Sequence, residues 1–373
     1  MTLQIQRMKS ILFPTLINFC LCAVAANGQT VVDLTGSTAG RSATHTAILA
    51  TLSDATYAYN GTSASGAARA IYFGKIGATN YIVRTYWSGS VNGVRDVAQQ
   101  IQQAEFLAKT TSGTAAGLQL TEPVAKAAAS AETAPEIGFS DVFQSTTTFT
   151  SPALVAEDEV GIIPFKWFKN KGASPGLTNL TPMLVRGLYG SLGTLPLSQF
   201  TGLPADAAKT VYGSGRNADS GTRITAMAES GYGVFLGVTQ YQFATAGGAV
   251  TAANYTADAG YSSGGNIAAL LGSTWAEGDI VAYLGSSDWS AAVTAGGTEL
   301  AWNGVPYSTA AVQEGSYTFW GYLHMNRMSL GTEALAFYNA LKTNLTSNPG
   351  SVLIKETDMK VSRDGDGAPV FPK

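Results

Sequence analysis

Short apolar runs alternate along the chain with longer segments whose apolar residues recur every three or four positions. Runs rich in β-branched and aromatic side chains predict strands. We expect these strands at residues 30–34, 70–73, 78–87, 137–141, 160–167, 234–241, 280–284 and 317–321. The segments with helical spacing predict helices at residues 42–52, 94–109, 178–200 and 328–345. Strands that alternate with helices indicate an α/β architecture with mainly parallel pairing.

One polar turn, residues 213–223, combines an arginine with glycines and small hydroxyl residues just before an amphipathic run. Ser220 is a good helix N-cap, which would leave the backbone N–H groups of Gly221 and Thr222 free at the first helical turn. A helix N-terminus attracts anions, and Arg216 could bind two oxygens of the same anion. The stretch therefore indicates an anion site, although taken alone it also fits an ordinary polar turn.

The same order of strand, small-residue turn and helix occurs three times. The turns contain Gly36, Ser37 and Thr38; Gly89 and Ser90; and Ser220, Gly221 and Thr222. In α/β sheets such turns follow the carboxyl ends of strands, where ligands bind. If the three turns converge, their N–H groups and hydroxyls suit a small tetrahedral oxyanion.

Asp141 ends a short apolar strand and is the one carboxylate that we place at this site. A carboxylate can accept a hydrogen bond from hydrogen phosphate, whereas sulfate has no proton to donate. Two facing acceptors in a buried site would cost about 1–3 kcal/mol or more. Asp141 therefore favours phosphate over sulfate, and the alternative is a helix cap or turn residue.

The first 26 residues are predicted to be a signal peptide. Arg7 and Lys9 precede an apolar run at 11–24, which is shorter than the roughly 20 residues that span a bilayer. Cys20 and Cys22 both lie in this segment, so we expect no disulfide in the mature protein, although a lipoprotein stays open. Cleavage removes two basic and no acidic residues, which changes the net charge from −3 to −5 and disfavours nucleic-acid or anionic-membrane binding.

These features resemble the PstS-like phosphate-binding proteins of bacterial ABC phosphate transporters. The resemblance covers most of the mature chain in order. It rests on the three turns, on Phe139, Ser140 and Asp141, on Arg216 with residues 220–223, and on the segments 177–200 and 317–322.

The resemblance implies a two-lobed periplasmic-binding-protein type 2 fold, with mixed, mainly parallel sheets flanked by helices. Lobe 1 would be residues 29–158 plus 320–373 and lobe 2 residues 159–319, with the hinge at two chain crossovers. The implied phosphate-binding residues are Thr38, Ala39, Ser90, Asp141, Arg216, Ser220, Gly221 and Thr222. Many members have an acidic residue where this chain has Ala218, which bears on affinity.

The resemblance further implies a monomeric, non-enzymatic protein without a cofactor, periplasmic or secreted, which delivers inorganic phosphate to an ABC permease in the inner membrane. The same fold could instead bind another oxyanion, or act as a scavenger or sensor without a transporter. With only two histidines, His45 and His324, far apart in the sequence, we expect no metal site.

A serine hydrolase is the alternative from a different class. Residues 260–264 match the G-x-S-x-G pattern around Ser262, and Asp279, Asp288 and His324 follow in the chain order of such enzymes. The preceding residues 253–258 are too polar for the buried strand that this motif requires, which disfavours the hydrolase.

Overall fold

The computed structural model describes residues 28–101, 106–121 and 134–373, so the predicted signal peptide lies outside the described residues. The strands in these ranges are β1 (Thr30–Gly36), β2 (Ser53–Asn60), β3 (Arg69–Ile76), β4 (Thr79–Tyr86), β5 (Leu118–Leu120), β6 (Ile137–Ser140), β7 (Ala156–Lys169), β8 (Asn179–Leu180), β9 (Thr194–Pro196), β10 (Thr210–Gly213), β11 (Tyr241–Ala246), β12 (Ala249–Tyr255), β13 (Gly278–Gly285), β14 (Thr298–Trp302), β15 (Trp320–Arg327), β16 (Val361–Ser362) and β17 (Phe371–Pro372). The α-helices are α1 (Arg41–Thr51), α2 (Ser90–Ala98), α3 (Pro182–Gly190), α4 (Ser198–Thr201), α5 (Gly221–Glu229), α6 (Gly264–Leu271), α7 (Trp289–Ala295), α8 (Thr309–Gln313) and α9 (Thr332–Ser347).

Most strands belong to one mixed sheet in the order β5-β2-β3-β4-β1-β6-β15-β7-β13-β10-β9, and β14 pairs with both β7 and β8. β1 runs parallel to β4 on one side and to β6 on the other, and β10 runs parallel to β13. Antiparallel pairs, such as β3 with β4 and β7 with β15, flank these parallel groups. The α/β architecture expected from the sequence is confirmed.

The 14-residue strand β7 changes its neighbours along its length. Its first part pairs with β15 as far as Pro164, and its last part, from Phe165 to Lys169, pairs with β13. The chain returns at Phe319, whose carbonyl accepts from the Phe165 N–H at 3.0 Å, so the two crossings lie side by side. We call residues 28–164 plus 320–373 lobe 1 and residues 165–319 lobe 2. The boundary at 158/159 expected from the sequence stays a prediction.

A continuous apolar core holds the crossing strands in place. All ten residues of β7 from Val160 to Lys169 are buried. Trp167 stacks on Trp302 with ring centroids 6.1 Å apart and on Phe319 at 5.6 Å. On the lobe 1 side, α9 packs through Phe337 and Leu341, which belong to the same core. Both lobes pack on β7. The loops that follow the strands of each lobe therefore start from fixed positions.

Several predicted elements differ from the observed ones. The helix expected over residues 178–200 ends at Gly190, because Gly193 adopts a φ of +75° and turns the chain into β9. No strand is observed at 234–240, and the hairpin of β11 and β12 begins at Tyr241. Residues 102–105, part of the helix expected at 94–109, lie outside the described residues, and α2 ends at Ala98.

Candidate anion-binding site

In lobe 1, the parallel strands β4, β1 and β6 end at the same edge of the sheet. The register pairs Gly36 of β1 with Phe139 of β6, so the loops after these strands start side by side. The Ser37 N–H donates to the Phe139 carbonyl at 2.8 Å, and the Gly89 N–H donates to the Gly36 carbonyl at 2.8 Å. These bonds hold the three loops of lobe 1 against one another, as expected for ligand loops at the carboxyl ends of strands.

Gly89 shows why the second turn needs a glycine. Its φ is +107°, a backbone conformation that other residues rarely adopt, and it directly precedes α2. A Cβ at this position would also lie 2.7 Å from the backbone oxygen of Asp219 in lobe 2. The neighbouring Val91 N–H donates to that oxygen at 3.1 Å. The glycine therefore permits both the turn and a direct contact between the lobes.

In lobe 2, the loop after β10 leads into α5. Ser220 is the N-cap residue, and its Oγ accepts from the Arg223 N–H at 3.4 Å, which confirms the predicted cap. The N–H groups of Gly221 and Thr222 belong to the first turn, where the helix itself offers no acceptor. They lie at the end of the helix that carries partial positive charge.

The loops of the two lobes converge on a narrow space that, in this structure, is too tight to admit a water molecule. It is lined by Ser37, Thr38, Gly89, Ser90, Asp141, Arg216, Ser220, Gly221 and Thr222. Seven of the eight site residues named from the sequence are in this set. The structure thus brings all three small-residue turns to one place.

Ala39 is the exception, and two further residues join the lining. The Ala39 N–H donates to Ser37 Oγ at 3.2 Å, so this residue lies beside the space and its N–H is already used. Ser37 and Gly89 were recognised as parts of the turns but not as site residues. Their position next to Thr38 and Ser90 was the available signal, and the way each turn folds could not be read from the sequence.

Arg216 is held rigidly in the middle of the site. Its Nε donates to the Tyr261 carbonyl at 3.1 Å and its Nη2 to the Ser262 carbonyl at 2.9 Å. Its Nη1 donates to Thr38 Oγ1 of lobe 1 at 3.3 Å. The side chain is buried, and burial lowers its pKa while the charges of Asp288 and Asp141 raise it. These bonds fix the guanidinium plane before any ligand interaction.

Asp141 of lobe 1 is only 1% exposed, and its carboxylate receives hydrogen bonds from both lobes. Ser90 Oγ of lobe 1 donates to Oδ1, and Thr222 Oγ1 of lobe 2 donates to Oδ2 at 3.2 Å. Burial raises the pKa of Asp141, and the hydrogen bonds and the charge of Arg216 oppose that rise. A Cβ on Gly221 would overlap with Oδ1, so only glycine lets α5 approach this carboxylate.

The residues of the hydrolase alternative are not assembled into a catalytic group. The carbonyl of the motif serine, Ser262, accepts from Arg216 Nη2 at 2.9 Å, and the hydroxyl of the next residue, Ser263, caps α6 by accepting from the Asn266 N–H at 3.3 Å. The His324 ring packs on Phe143 with centroids 4.4 Å apart, and neither ring nitrogen has a partner within the described part of the chain. Burial lowers the pKa of His324 to about 3. Within the described residues, neither ring nitrogen therefore bonds to the serine and the carboxylate that a catalytic triad requires.

Between residues 28 and 373, apart from 102–105 and 122–133, no three His, Cys, Asp or Glu side chains are grouped so that they could hold a metal ion. The same ranges contain no helix that is long and apolar enough to cross a membrane.

The fold is similar to that of a solved substrate-binding protein. A protein from Clostridium perfringens, described as a phosphate ABC transporter substrate-binding protein with bound phosphate, is 15% identical over 87% of this chain and 99% of its own, with a TM-score of 0.53. PstS from Borrelia burgdorferi is 15% identical over 88% of this chain and 100% of its own, with a TM-score of 0.44. An ABC-type phosphate transport receptor from Vibrio cholerae is 12% identical over 84% and 93%, with a TM-score of 0.47. The last two scores are too low to support a shared fold by themselves.

No protein-family model and no curated protein matches the chain. The Clostridium structure nevertheless covers 87% of this chain, and the predicted periplasmic-binding-protein type 2 fold is confirmed. At 15% identity the likeness establishes the fold alone, and the ligand has to be argued from the site.

Proposed function

We propose that this chain is a non-enzymatic solute-binding protein that captures hydrogen phosphate between its two lobes. The observation that carries the proposal is the pairing of one buried acceptor, Asp141, with a buried arginine and a helix N-terminus on the opposite lobe. Hydrogen phosphate needs that combination, because it carries both negative charge and one proton to donate.

Each group of the site has a role in this proposal. Arg216 neutralises charge and donates from its fixed guanidinium, and the first-turn N–H groups of α5 donate at its positive end. Thr38 adds a hydroxyl donor from lobe 1 while its Oγ1 accepts from Arg216, and Ser90 adds a second once it exchanges Asp141 for the ligand. Asp141 accepts a hydrogen bond from the protonated oxygen of the ligand.

Binding would follow hinge closure about the two crossing strands. A ligand that contacts both lobes binds the closed form more tightly and shifts the population towards it. The closed form would be presented to an ABC permease in the inner membrane, and the chain would act as a monomer without a cofactor. A cleaved signal peptide, residues 1–26, would place it in the periplasm or outside the cell.

Ala218 is compatible with this arrangement. It is exposed and lines an outer groove together with Asp219, so its side chain lies away from the narrow space. The counter-charge for Arg216 comes from elsewhere in lobe 2, from Asp288.

Isothermal titration with phosphate, arsenate and sulfate at neutral pH tests the proposal. We expect phosphate and arsenate to bind and sulfate to bind much more weakly, because only the first two carry a proton for Asp141. Tight sulfate binding would instead favour another oxyanion as the ligand, and no binding of phosphate or arsenate would overturn the proposal. Phosphate uptake by vesicles that contain the permease would separate a transport component from a scavenger or sensor.

A further inference from the structure

The turn between β13 and α7 in lobe 2 contacts lobe 1 through three consecutive side chains. Each makes one hydrogen bond across the lobe boundary: Ser286 Oγ to the Val352 carbonyl at 2.5 Å, Ser287 Oγ to the Ala39 carbonyl at 2.5 Å, and Arg41 Nη2 to Asp288 Oδ1 at 3.1 Å. None of the three side chains of this turn lines the narrow anion space. The lobes are therefore joined here without direct involvement of that space.

Asp288 gives this contact its strength. The carboxylate is 5% exposed, and burial raises its pKa while the charges of Arg41 and Arg216 lower it. Arg41 belongs to lobe 1 and Arg216 to lobe 2, so separation of the lobes removes one of the two cations near a buried carboxylate. Loss of one partner of a buried ion pair is strongly unfavourable.

The position of the turn links it to release of a ligand. Gly285 packs against Ala39, and a Cβ on Gly285 would lie 2.9 Å from the Ala39 Cβ. Ser287 and Asp288 line an outer chamber that shares Thr38 with the narrow space. The turn therefore holds residues 39–41, which directly follow Thr38 of the narrow space in the chain.

We propose that residues 286–288 form a latch that joins the lobes independently of the ligand and slows release of the bound anion. The identity of that anion rests on the proposed function, whereas the contact between the lobes does not. Apparent affinity equals intrinsic affinity weighted by the fraction of closed protein, so a latch that favours closure tightens binding without touching the ligand.

The first test measures phosphate release by stopped flow. We expect the Ser286→Ala/Ser287→Ala double variant, Asp288→Asn and Arg41→Met each to release phosphate about 10-fold faster than the wild type, with a smaller change in association rate. Arg41→Met combined with Asp288→Asn should release phosphate little faster than Arg41→Met alone, because both variants remove the ion pair between Arg41 and Asp288.

The control variants remove side-chain bonds that lie within one lobe. Ser316 Oγ donates to the Ala311 carbonyl at 3.3 Å within lobe 2, and Lys342 pairs with Asp158 at 2.8 Å within lobe 1. Ser316→Ala and Lys342→Met should leave the release rate unchanged. Latch variants whose release rate equals that of these controls would overturn the proposal.

The second test needs no phosphate. Dyes on Ala336→Cys of lobe 1 and Met183→Cys of lobe 2, in a Cys20→Ser/Cys22→Ser background, report the distance between the lobes; both labelled positions are exposed. We expect the latch variants to have a larger open population than the wild type. If the turn only stabilises lobe 2, the urea midpoint falls while the dye distance stays constant, and the latch is disproved. If phosphate does not bind at all, this readout still tests the latch.

Discussion

The two halves of the site are built differently. The lobe 1 half comes from three loops after parallel strands and offers hydroxyls and one carboxylate, Asp141. The lobe 2 half comes from one loop and one helix and offers the buried charge of Arg216 and the N-terminus of α5. In the proposed function, lobe 2 would supply the attraction for any small anion, and lobe 1 would supply the acceptor that distinguishes one anion from another. This division predicts that variants in the lobe 2 half weaken the binding of all anions, whereas variants in the lobe 1 half change the selectivity between anions.

The largest effect is expected in the lobe 2 half. Arg216→Met should weaken phosphate and sulfate binding alike by about 100-fold or more, because it removes the buried positive charge. Isothermal titration measures both affinities. Arg186→Met, an exposed arginine of α3, is the control and should bind normally. A selective loss of phosphate alone would contradict the division between the halves.

The contact between the halves is tested at Gly221. Gly221→Ala places a methyl group where Asp141 Oδ1 now lies, so the lobes cannot approach fully, and phosphate affinity should fall about 10- to 100-fold. Gly331→Ala at the start of α9 is the matched control, because a Cβ there has nothing within 4 Å. Equal affinities of the two variants would show that the close approach does not matter for binding.

A smaller change, in selectivity, is expected from the lobe 1 half. Asp141→Asn should reduce the ratio of phosphate to sulfate affinity about 10-fold, because the amide can donate to a sulfate oxygen. Asp219→Asn changes a carboxyl that lines the outer groove and should keep the wild-type ratio. An unchanged ratio in Asp141→Asn would remove this residue from its proposed role.

The smallest effect concerns pH. Burial raises the pKa of Asp141, so this carboxyl takes up a proton at a higher pH than an exposed aspartate does. A protonated Asp141 can donate to sulfate, whose own charge stays constant over this range. Sulfate affinity should therefore rise about 3- to 10-fold between about pH 7.5 and about pH 5. The rise should be absent in Asp141→Asn, and a parallel rise there would assign it to other groups.

Local sequence signals were sufficient for much of the site. Ser220 precedes the apolar run at the spacing of an N-cap, and the structure uses it as one. The turns at Ser37 and Ser90 follow strands, so parallel pairing placed both at one sheet edge. Each inference needed only a few neighbouring residues, which explains why it could be made without the structure.

Contacts between distant segments could not be predicted in this way. Residues 286–288 have the composition of an ordinary turn, and only the approach of the lobes shows their bonds to lobe 1. The hydrolase motif around Ser262 had the right spacing, yet His324 lies in a separate apolar environment next to Phe143. Spacing along the chain does not determine which side chains meet after folding.

The sequence by itself determined the α/β class, the three small-residue turns and the choice of Arg216 and Asp141 as candidates, because helix caps, turn residues and strand periodicity are local properties. Only the tertiary structure decided that these turns share one space, that Ala39 lies beside it, and that Asp288 joins the lobes. The meeting of residues separated by more than 100 positions depends on how β7 and β15 carry the chain between the lobes. That geometry comes from packing of the whole core, which no short stretch of sequence specifies.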